Sequence, residues 1–133
     1  MNLDFLGVGV DAGIIMICDE DYYQKYGFNF EERISKKVTI PTGKYECYWN
    51  IPHSWNGEIE GKGLLNITSG NLIVSDPCYC IQKSDDPTTY DSWMKFLDDT
   101  DYGREAEFGT IIIDKTGGDG TFDVYIKLTK IGD

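Results

Sequence analysis

Several aspartates stand where acid–base chemistry or metal binding would need them. Asp11 lies in an Asp-Ala-Gly sequence ahead of an apolar run, a setting in which one carboxylate of a catalytic pair would be expected. Acid catalysis of that kind needs two carboxylates that share one proton. The stretch around Asp11 recurs later in the chain with Thr68 at the equivalent position. Asp11 therefore lacks a second carboxylate, and acid catalysis is not expected.

Two further groups of aspartates are better explained by turns. Asp19 and Asp76 each follow an apolar run that gives way to a turn, and an aspartate in that place commonly accepts hydrogen bonds from backbone amides. Asp114, Asp119 and Asp123 surround a Gly-Gly-Asp-Gly turn, and an oxygen-rich loop can bind calcium. Hairpin chemistry alone explains the Asp-Gly pair, so calcium binding stays open.

The serines and the single histidine indicate no nucleophilic centre. Ser69 and Ser75 lack the Gly-x-Ser-x-Gly context of a nucleophile turn, and His53 is the one histidine that could activate either of them. The glycine-rich stretch 117–120 lacks the Gly-Lys-Ser/Thr ending of a phosphate-binding loop. We therefore predict that the protein is not an enzyme and has no catalytic residues and no cofactor.

The four cysteines are expected to be reduced and to pack as small apolar side chains. They are Cys18, Cys47, Cys78 and Cys80. One residue separates Cys78 from Cys80, whereas zinc sites use gaps of two to four residues. A metal site at the cysteines is therefore disfavoured, although metal binding by them stays open.

The charge balance limits the partners that this protein can have. The chain has 12 basic and 23 acidic residues in 133, a net charge of −11, which repels nucleic-acid phosphates. The same field suits a basic protein partner, although it also fits a merely soluble acidic domain. No apolar run approaches the ~18 residues that span a bilayer, and no signal peptide is recognisable. We expect a single cytoplasmic domain over residues 1–133, without membrane or direct nucleic-acid binding.

The candidate residues are carried by a chain that contains two copies of one β-unit. At an offset of 57 (70 − 13), the matches are Gly13 with Gly70, Asp19 with Asp76 and Tyr22 with Tyr79. Residues 43–51 match residues 120–128 at an offset of 77 (120 − 43). The predicted repeats are about 8–51 and 65–128, with a helical insert at about 81–105. We predict a mostly β fold, all-β or α+β: a pseudo-twofold sandwich or barrel-like domain with one or two short helices.

Local patterns predict the elements of each repeat. Ile14–Ile17 is a short apolar run that suits a strand buried on both faces. Asp119-Gly120 supplies the turn of a hairpin near the end of the chain. Residues 52–63 are rich in glycine and are predicted as a loop or an excursion on the rim of the domain. Asp91–Asp98 has the spacing of an amphipathic helix.

Four motifs together resemble an uncharacterised domain family of bacterial and phage proteins. They are Val10–Gly13, Pro41–Tyr45, Ser69-Gly70 with Val74–Tyr79, and Gly118–Phe122. The family pattern is Val-Asp-Ala-Gly, Pro-x-Gly-x-Tyr, Ser-Gly before Asp-Pro, and Gly-Asp-Gly-x-Tyr, and this chain departs from it at Phe122. The resemblance implies a small mostly-β domain and a phage or prophage origin, with the bacterial host cell as its location. It implies no catalytic residues.

Aromatic residues are the remaining candidates for function, because the chain has nine Tyr, six Phe and three Trp. Such side chains favour recognition surfaces but also fill small β-cores. His53, Trp55, Tyr90 and Trp93 are the best candidates for exposed contacts because they lie outside the duplicated framework, the last two in the insert. The predicted binding residues are Tyr22, Tyr23, Trp49, His53, Trp55, Tyr90, Trp93, Asp98, Asp99 and Asp101.

Two functions follow from these observations. The first is a non-catalytic acidic protein that binds a basic protein partner, such as a phage-encoded inhibitor of a host or defence protein. The alternative is a small-molecule-binding, sequestering protein with a pocket at the seam between the repeats or at an oligomer interface. Because this pocket could lie at an oligomer interface, the sequence leaves open whether the protein self-associates.

Overall fold

The computed structural model of the protein describes residues 1–24, 26, 34–81, 93–98 and 109–132. Strands make up most of these residues. The strands are β1 (Asn2–Val10), β2 (Ile15–Asp19), β3 (Lys36–Thr39), β4 (Gly43–Ser54), β5 (Gly57–Ile67), β6 (Asn71–Ser75), β7 (Ile111–Ile113) and β8 (Gly120–Lys130). The helices are α1 (Asp21–Gln24), α2 (Pro77–Cys80) and a third helical turn at residues 93–98.

The strands form two four-stranded antiparallel sheets. The first sheet has the order β1-β8-β4-β5, and the second has the order β3-β6-β2-β7. A core of apolar side chains from both sheets lies between them. The predicted mostly β, sandwich-like fold is therefore confirmed, and the arrangement is an open sandwich rather than a closed barrel.

The strand order has the twofold pattern that two repeated β-units predict. Exchanging β1–β4 with β5–β8 reverses the order of each sheet and leaves every pairing unchanged. At the centre of the first sheet, Tyr48 lies opposite Lys127 and Asn50 lies opposite Tyr125. Tyr48 and Tyr125 are equivalent positions of the two units (125 − 48 = 77). The pseudo-twofold axis therefore passes between β4 and β8.

Both faces of the second sheet are covered. All five residues of β2 are buried, as the apolar run Ile14–Ile17 predicted. One face of this sheet contacts the core between the sheets, and the other contacts a second cluster that includes Tyr23, Tyr26 and Phe96. Phe96 belongs to the helical residues 93–98, which fall within the predicted helix Asp91–Asp98. The rest of the predicted insert lies outside the described residues, except for Ile81.

The prediction of a loop at residues 52–63 is wrong, because these residues form a hairpin. β4 continues to Ser54 and β5 begins at Gly57, with a register shift between Ile51 and Ser54. The glycines serve close packing there: a Cβ atom at Gly61 would lie 2.6 Å from the ring of Trp49 on the paired strand. A glycine inside a strand often marks such a close approach.

None of the helices among the described residues has the length and apolar character that crossing a membrane requires.

Candidate functional site

The turn between β4 and β5 is bound to the loop between β7 and β8. Trp55 N donates to Thr116 O at 2.9 Å, and Trp55 Nε1 donates to Asp119 O at 2.9 Å. Asn56 Nδ2 donates to Lys115 O at 3.0 Å. Trp55 nevertheless keeps 71% of its surface exposed to solvent. The chain therefore presents a tryptophan that is both exposed and held in one orientation.

Two glycines allow Trp55 and Asn56 to approach this loop. A Cβ atom at Gly117 would lie 2.9 Å from Asn56 Nδ2 and 3.0 Å from Trp55 Cβ, and one at Gly118 would lie 3.1 Å from Trp55 Cδ1. Gly117 also has φ +84°, a conformation that other residues rarely adopt. The glycine-rich stretch, which carries no phosphate-loop motif, is therefore explained by the packing of Trp55.

An open cavity of about 390 Å³ lies beside Trp55. Its lining comes from the end of β4, the following turn and the start of β8: His53, Ser54, Trp55, Gly120, Thr121 and Phe122. Phe122 is buried and forms the apolar part of the wall, whereas His53 is exposed at the rim. The cavity can accept an apolar or aromatic group beside the indole.

Acidic side chains and a second aromatic residue occupy the same end of the sandwich. Val10 pairs with Gly120, so the exposed Asp11 follows the strand residue that lies beside the loop carrying Asp119. Burial raises the pKa of Tyr79, and the negative charges of Asp11 and Asp119 raise it further. We call His53, Trp55, Tyr79, Asp11 and Asp119 the Trp55 surface.

Asp76 is buried and acts as a structural acceptor beneath this surface. Its Oδ2 accepts N–H groups from Asp11 at 2.9 Å and Ala12 at 2.7 Å, and its Oδ1 accepts the N–H of Cys78 at 2.9 Å. Residues 11 and 12 belong to the other repeat. The expected role of a turn-forming aspartate is thus observed, and the carboxylate joins the two halves of the fold.

Asp19 also joins the two halves of the fold, because this carboxylate of the first repeat accepts amides of the second. It accepts the N–H groups of Thr68 and Ser69, each at 3.0 Å, and that of Asp21 at 3.0 Å. Burial by itself raises the pKa of Asp19, but the hydrogen bonds from Ser69, Thr68 and Asp21 outweigh it and leave the pKa below its ordinary value. Residues 68 and 69 are the repeat equivalents of 11 and 12 (68 − 11 = 57), so the two contacts are related by the pseudo-twofold axis.

Part of the predicted binding set lies in the cores. Tyr22, Tyr23 and Trp49 are buried, and their rings supply apolar contacts within the two core clusters rather than exposed surface. Trp93 is partly buried and stacks on Phe96 with ring centroids 5.6 Å apart.

The remaining predicted residues divide into exposed and undescribed positions. His53 and Trp55 lie together on the Trp55 surface, and Asp98 is exposed on the third helix. Tyr90, Asp99 and Asp101 lie outside the described residues. Sequence reasoning missed the half-buried Tyr79, although its place two residues after Pro77, in the helical turn that Asp76 caps, is a signal that could have identified it.

A second cavity lies on the outer face of the first sheet, where the pseudo-twofold axis emerges. It has a volume of about 330 Å³ and is lined by Asn2, Asp4, Tyr48, Asn50, Tyr125, Ile126 and Lys127. The two repeat-equivalent tyrosines flank it. The Tyr48 hydroxyl donates to the Glu60 carboxylate, and this hydrogen bond raises the pKa of Tyr48.

The cysteines and the acidic turn do not form a metal site within the described part of the chain, where no three His, Cys, Asp or Glu side chains are grouped to hold an ion. Asp123 instead accepts the N–H of Gly7 at 3.0 Å. All four cysteines are buried and unpaired by disulfides. Burial raises the pKa of Cys47 to about 12 and also raises the pKa of Cys18, so these thiols are poor nucleophiles.

The chain matches no protein-family model, and it has no significant match among curated proteins or solved structures.

Proposed function

We propose that this protein is a non-catalytic binding protein that engages a basic protein partner through the Trp55 surface. The observation that carries the proposal is the exposed indole fixed by its hydrogen bond to Asp119 O. Tryptophan is enriched among the residues that dominate binding energy. A side chain already held in one orientation loses less conformational freedom on binding than a mobile one.

Charge supports a basic partner. The chain carries −11 overall, and Asp11 and Asp119 are exposed on the Trp55 surface itself. Complementary charge accelerates encounter and excludes acidic competitors. A lysine or arginine of the partner can also stack on the free face of Trp55.

The biological setting that we propose follows from the family resemblance. A phage-encoded protein that acts in the bacterial cytoplasm by contact alone would inhibit a host or defence protein by covering its working surface. The nucleic-acid-binding surface of such a target would offer the basic patch that this acidic protein requires.

The test is capture of partners from a bacterial lysate by tagged wild-type and variant proteins, with quantification by mass spectrometry. Trp55→Ala removes the anchor, and Trp55→Phe keeps a ring but loses the N–H to Asp119. Leu64→Ala is the matched control, because Leu64 is also an exposed apolar residue and lies roughly 20 Å along β5 from the turn at about 3.3 Å per residue.

We expect the wild type and the control to retain a basic protein. Trp55→Ala should lower the affinity for that protein at least about tenfold, which is the loss of a typical binding hot spot. Trp55→Phe should have an intermediate affinity. Its retention should fall as salt is raised. Equal retention by the wild type and Trp55→Ala would refute the proposal.

The alternative function is supported by the cavity between Tyr48 and Tyr125 on the pseudo-twofold axis. Two tyrosine rings with Asn50 and Lys127 suit a planar polar ligand, which would be sequestered rather than transformed. Thermal unfolding against a panel of nucleotides and metabolites tests it, because a ligand that binds only the folded state raises Tm. A ligand whose effect is abolished by Tyr48→Ala but not by Trp55→Ala would favour this alternative over the first proposal.

A further inference from the structure

Strand β1 contains a bulge that turns a leucine out to solvent. Its pairing with β8 shifts register between Phe5 and Val8, and Gly7 within the bulge has φ +73°. Leu6 is 58% exposed as a result. β1 is also the terminal strand of the first sheet, so Leu6 lies at a sheet edge.

A groove runs beside this leucine, between β1 of the first sheet and β3 of the second. Its volume is about 420 Å³, and the residues that line it are Leu3, Asp4, Phe5, Leu6, Ser35, Lys36, Lys37 and Val38. Leu3 and Val38 pack at the margin of the main core. Within the described residues, the floor of the groove is therefore an apolar margin of the core between the two edge strands.

On the opposite side of the sandwich, β5 packs closely on β7. There a Cβ atom at Gly63 would lie 2.7 Å from Ile111 Cγ1, so the absence of a side chain at Gly63 lets Ile111 pack against β5. Phe5 is the repeat equivalent of Gly63, because Phe5 pairs with Val124 and Gly63 pairs with Cys47 (124 − 47 = 77). On the β1 side Phe5 is buried, and Leu6 in the bulge that follows it is exposed beside the groove.

We propose that this groove is the interface of a symmetric homodimer in which Leu6 of each protomer enters the groove of its partner. A twofold contact uses the same patch on both subunits, so the patch must be complementary to itself. This patch holds an exposed apolar side chain next to a recess that is lined by apolar residues together with Asp4, Lys36 and Lys37. Burial of two leucines in two recesses is the driving force.

The charges of the groove suit contact with a second copy better than the charges on the rest of the surface do. Each protomer carries −11, so most faces of two copies repel each other. The groove instead presents Asp4 together with Lys36 and Lys37. Within the described residues Lys37 contacts Glu20 at 3.3 Å, and Lys36 makes no ion pair, so Lys36 is available to the Asp4 carboxylate of a second copy.

Sedimentation velocity across a concentration series tests the proposal. We expect the wild type to reach twice the chain mass of 15.1 kDa and Leu6→Asp to remain at the monomer mass over the same range. Leu64→Asp is the matched control, because it places the same charge on another exposed strand leucine, 46% exposed, outside the groove. It should dimerise like the wild type.

A charge exchange provides a second test that does not depend on an apolar residue. Asp4→Lys and Lys36→Asp should each weaken dimerisation at least about tenfold, the loss typical of a disrupted interfacial ion pair, and the double variant should recover most of that loss. Circular dichroism confirms that every variant is folded. A wild type that stays monomeric at the highest concentration, or a dimer that Leu6→Asp leaves intact, overturns the proposal. Failure here leaves the Trp55 surface untouched, because the two surfaces share no residue.

Discussion

The buried carboxylate of Asp76 supports the sharpest prediction about stability. It is fully buried and accepts three backbone N–H groups, from Asp11, Ala12 and Cys78. Asp76→Asn preserves the size of the side chain, but an amide has one acceptor oxygen and one donor nitrogen. Either orientation therefore points an N–H group at a backbone N–H on one side.

The expected loss can be worked from these contacts. A hydrogen bond to a charged group contributes about 1.5–3 kcal/mol, and a buried donor left without a partner costs about 1–3 kcal/mol. The N–H of Cys78 is buried, whereas those of Asp11 and Ala12 are partly buried and can regain water. Because such terms are not additive in one network, we expect Asp76→Asn to lower the free energy of unfolding by about 3 kcal/mol.

Urea unfolding followed by circular dichroism measures this loss. Asp123→Asn is the control, because Asp123 makes one exposed hydrogen bond, to Gly7 N, which an asparagine oxygen can replace. Its effect should stay within about 0.5 kcal/mol, as for most surface substitutions. A loss below about 1 kcal/mol for Asp76→Asn, the size of an ordinary neutral hydrogen bond, would show that the carboxylate does not join the two repeats energetically.

Three further predictions concern pH, thiol reactivity and packing. The pKa of Asp19 is lower in the folded state than its ordinary value of 3.8. Its contribution to the free energy of unfolding is therefore present above that pH and is lost as the pH falls through the folded pKa. In acid unfolding, the free energy of unfolding of Asp19→Asn should depend less steeply on pH than that of the wild type. The buried thiols of Cys18 and Cys47 should resist a disulfide reagent in the native protein and react after unfolding in urea, and rapid native labelling would contradict their burial. Gly61→Ala should destabilise the fold by about 1–3 kcal/mol in urea unfolding, because the new methyl group meets the ring of Trp49 at 2.6 Å; an unchanged midpoint would refute the close approach.

The aromatic residues illustrate where prediction from sequence succeeds and fails. Trp49 and Trp55 lie six positions apart (55 − 49) in the same stretch, yet one fills the core and the other is exposed. Composition treats both as equally good candidates for binding. Their environments differ because Trp49 faces Gly61 across a strand pair, whereas Trp55 stands at the turn and packs on the loop before β8.

The hairpin at residues 52–63 shows the same limit for secondary structure. Local rules give glycine a low preference for strands. The glycines within residues 52–63 therefore favour the prediction of a loop. Gly61 and Gly63 lie in β5 because Trp49 and Ile111 occupy the space that their side chains would have filled. That information belongs to neighbours that are distant along the chain.

The sequence by itself determined the β character, the repeated unit and the turn role of Asp19 and Asp76, because alternation of apolar residues and turn chemistry are local properties that recur in both halves. The tertiary structure decided which partners these residues meet. Asp76 contacts amides that lie 64 and 65 positions away, and the bulge in β1 exposes Leu6 only through its register with β8. Such contacts depend on how the two repeats pair with each other, and no local pattern encodes that pairing.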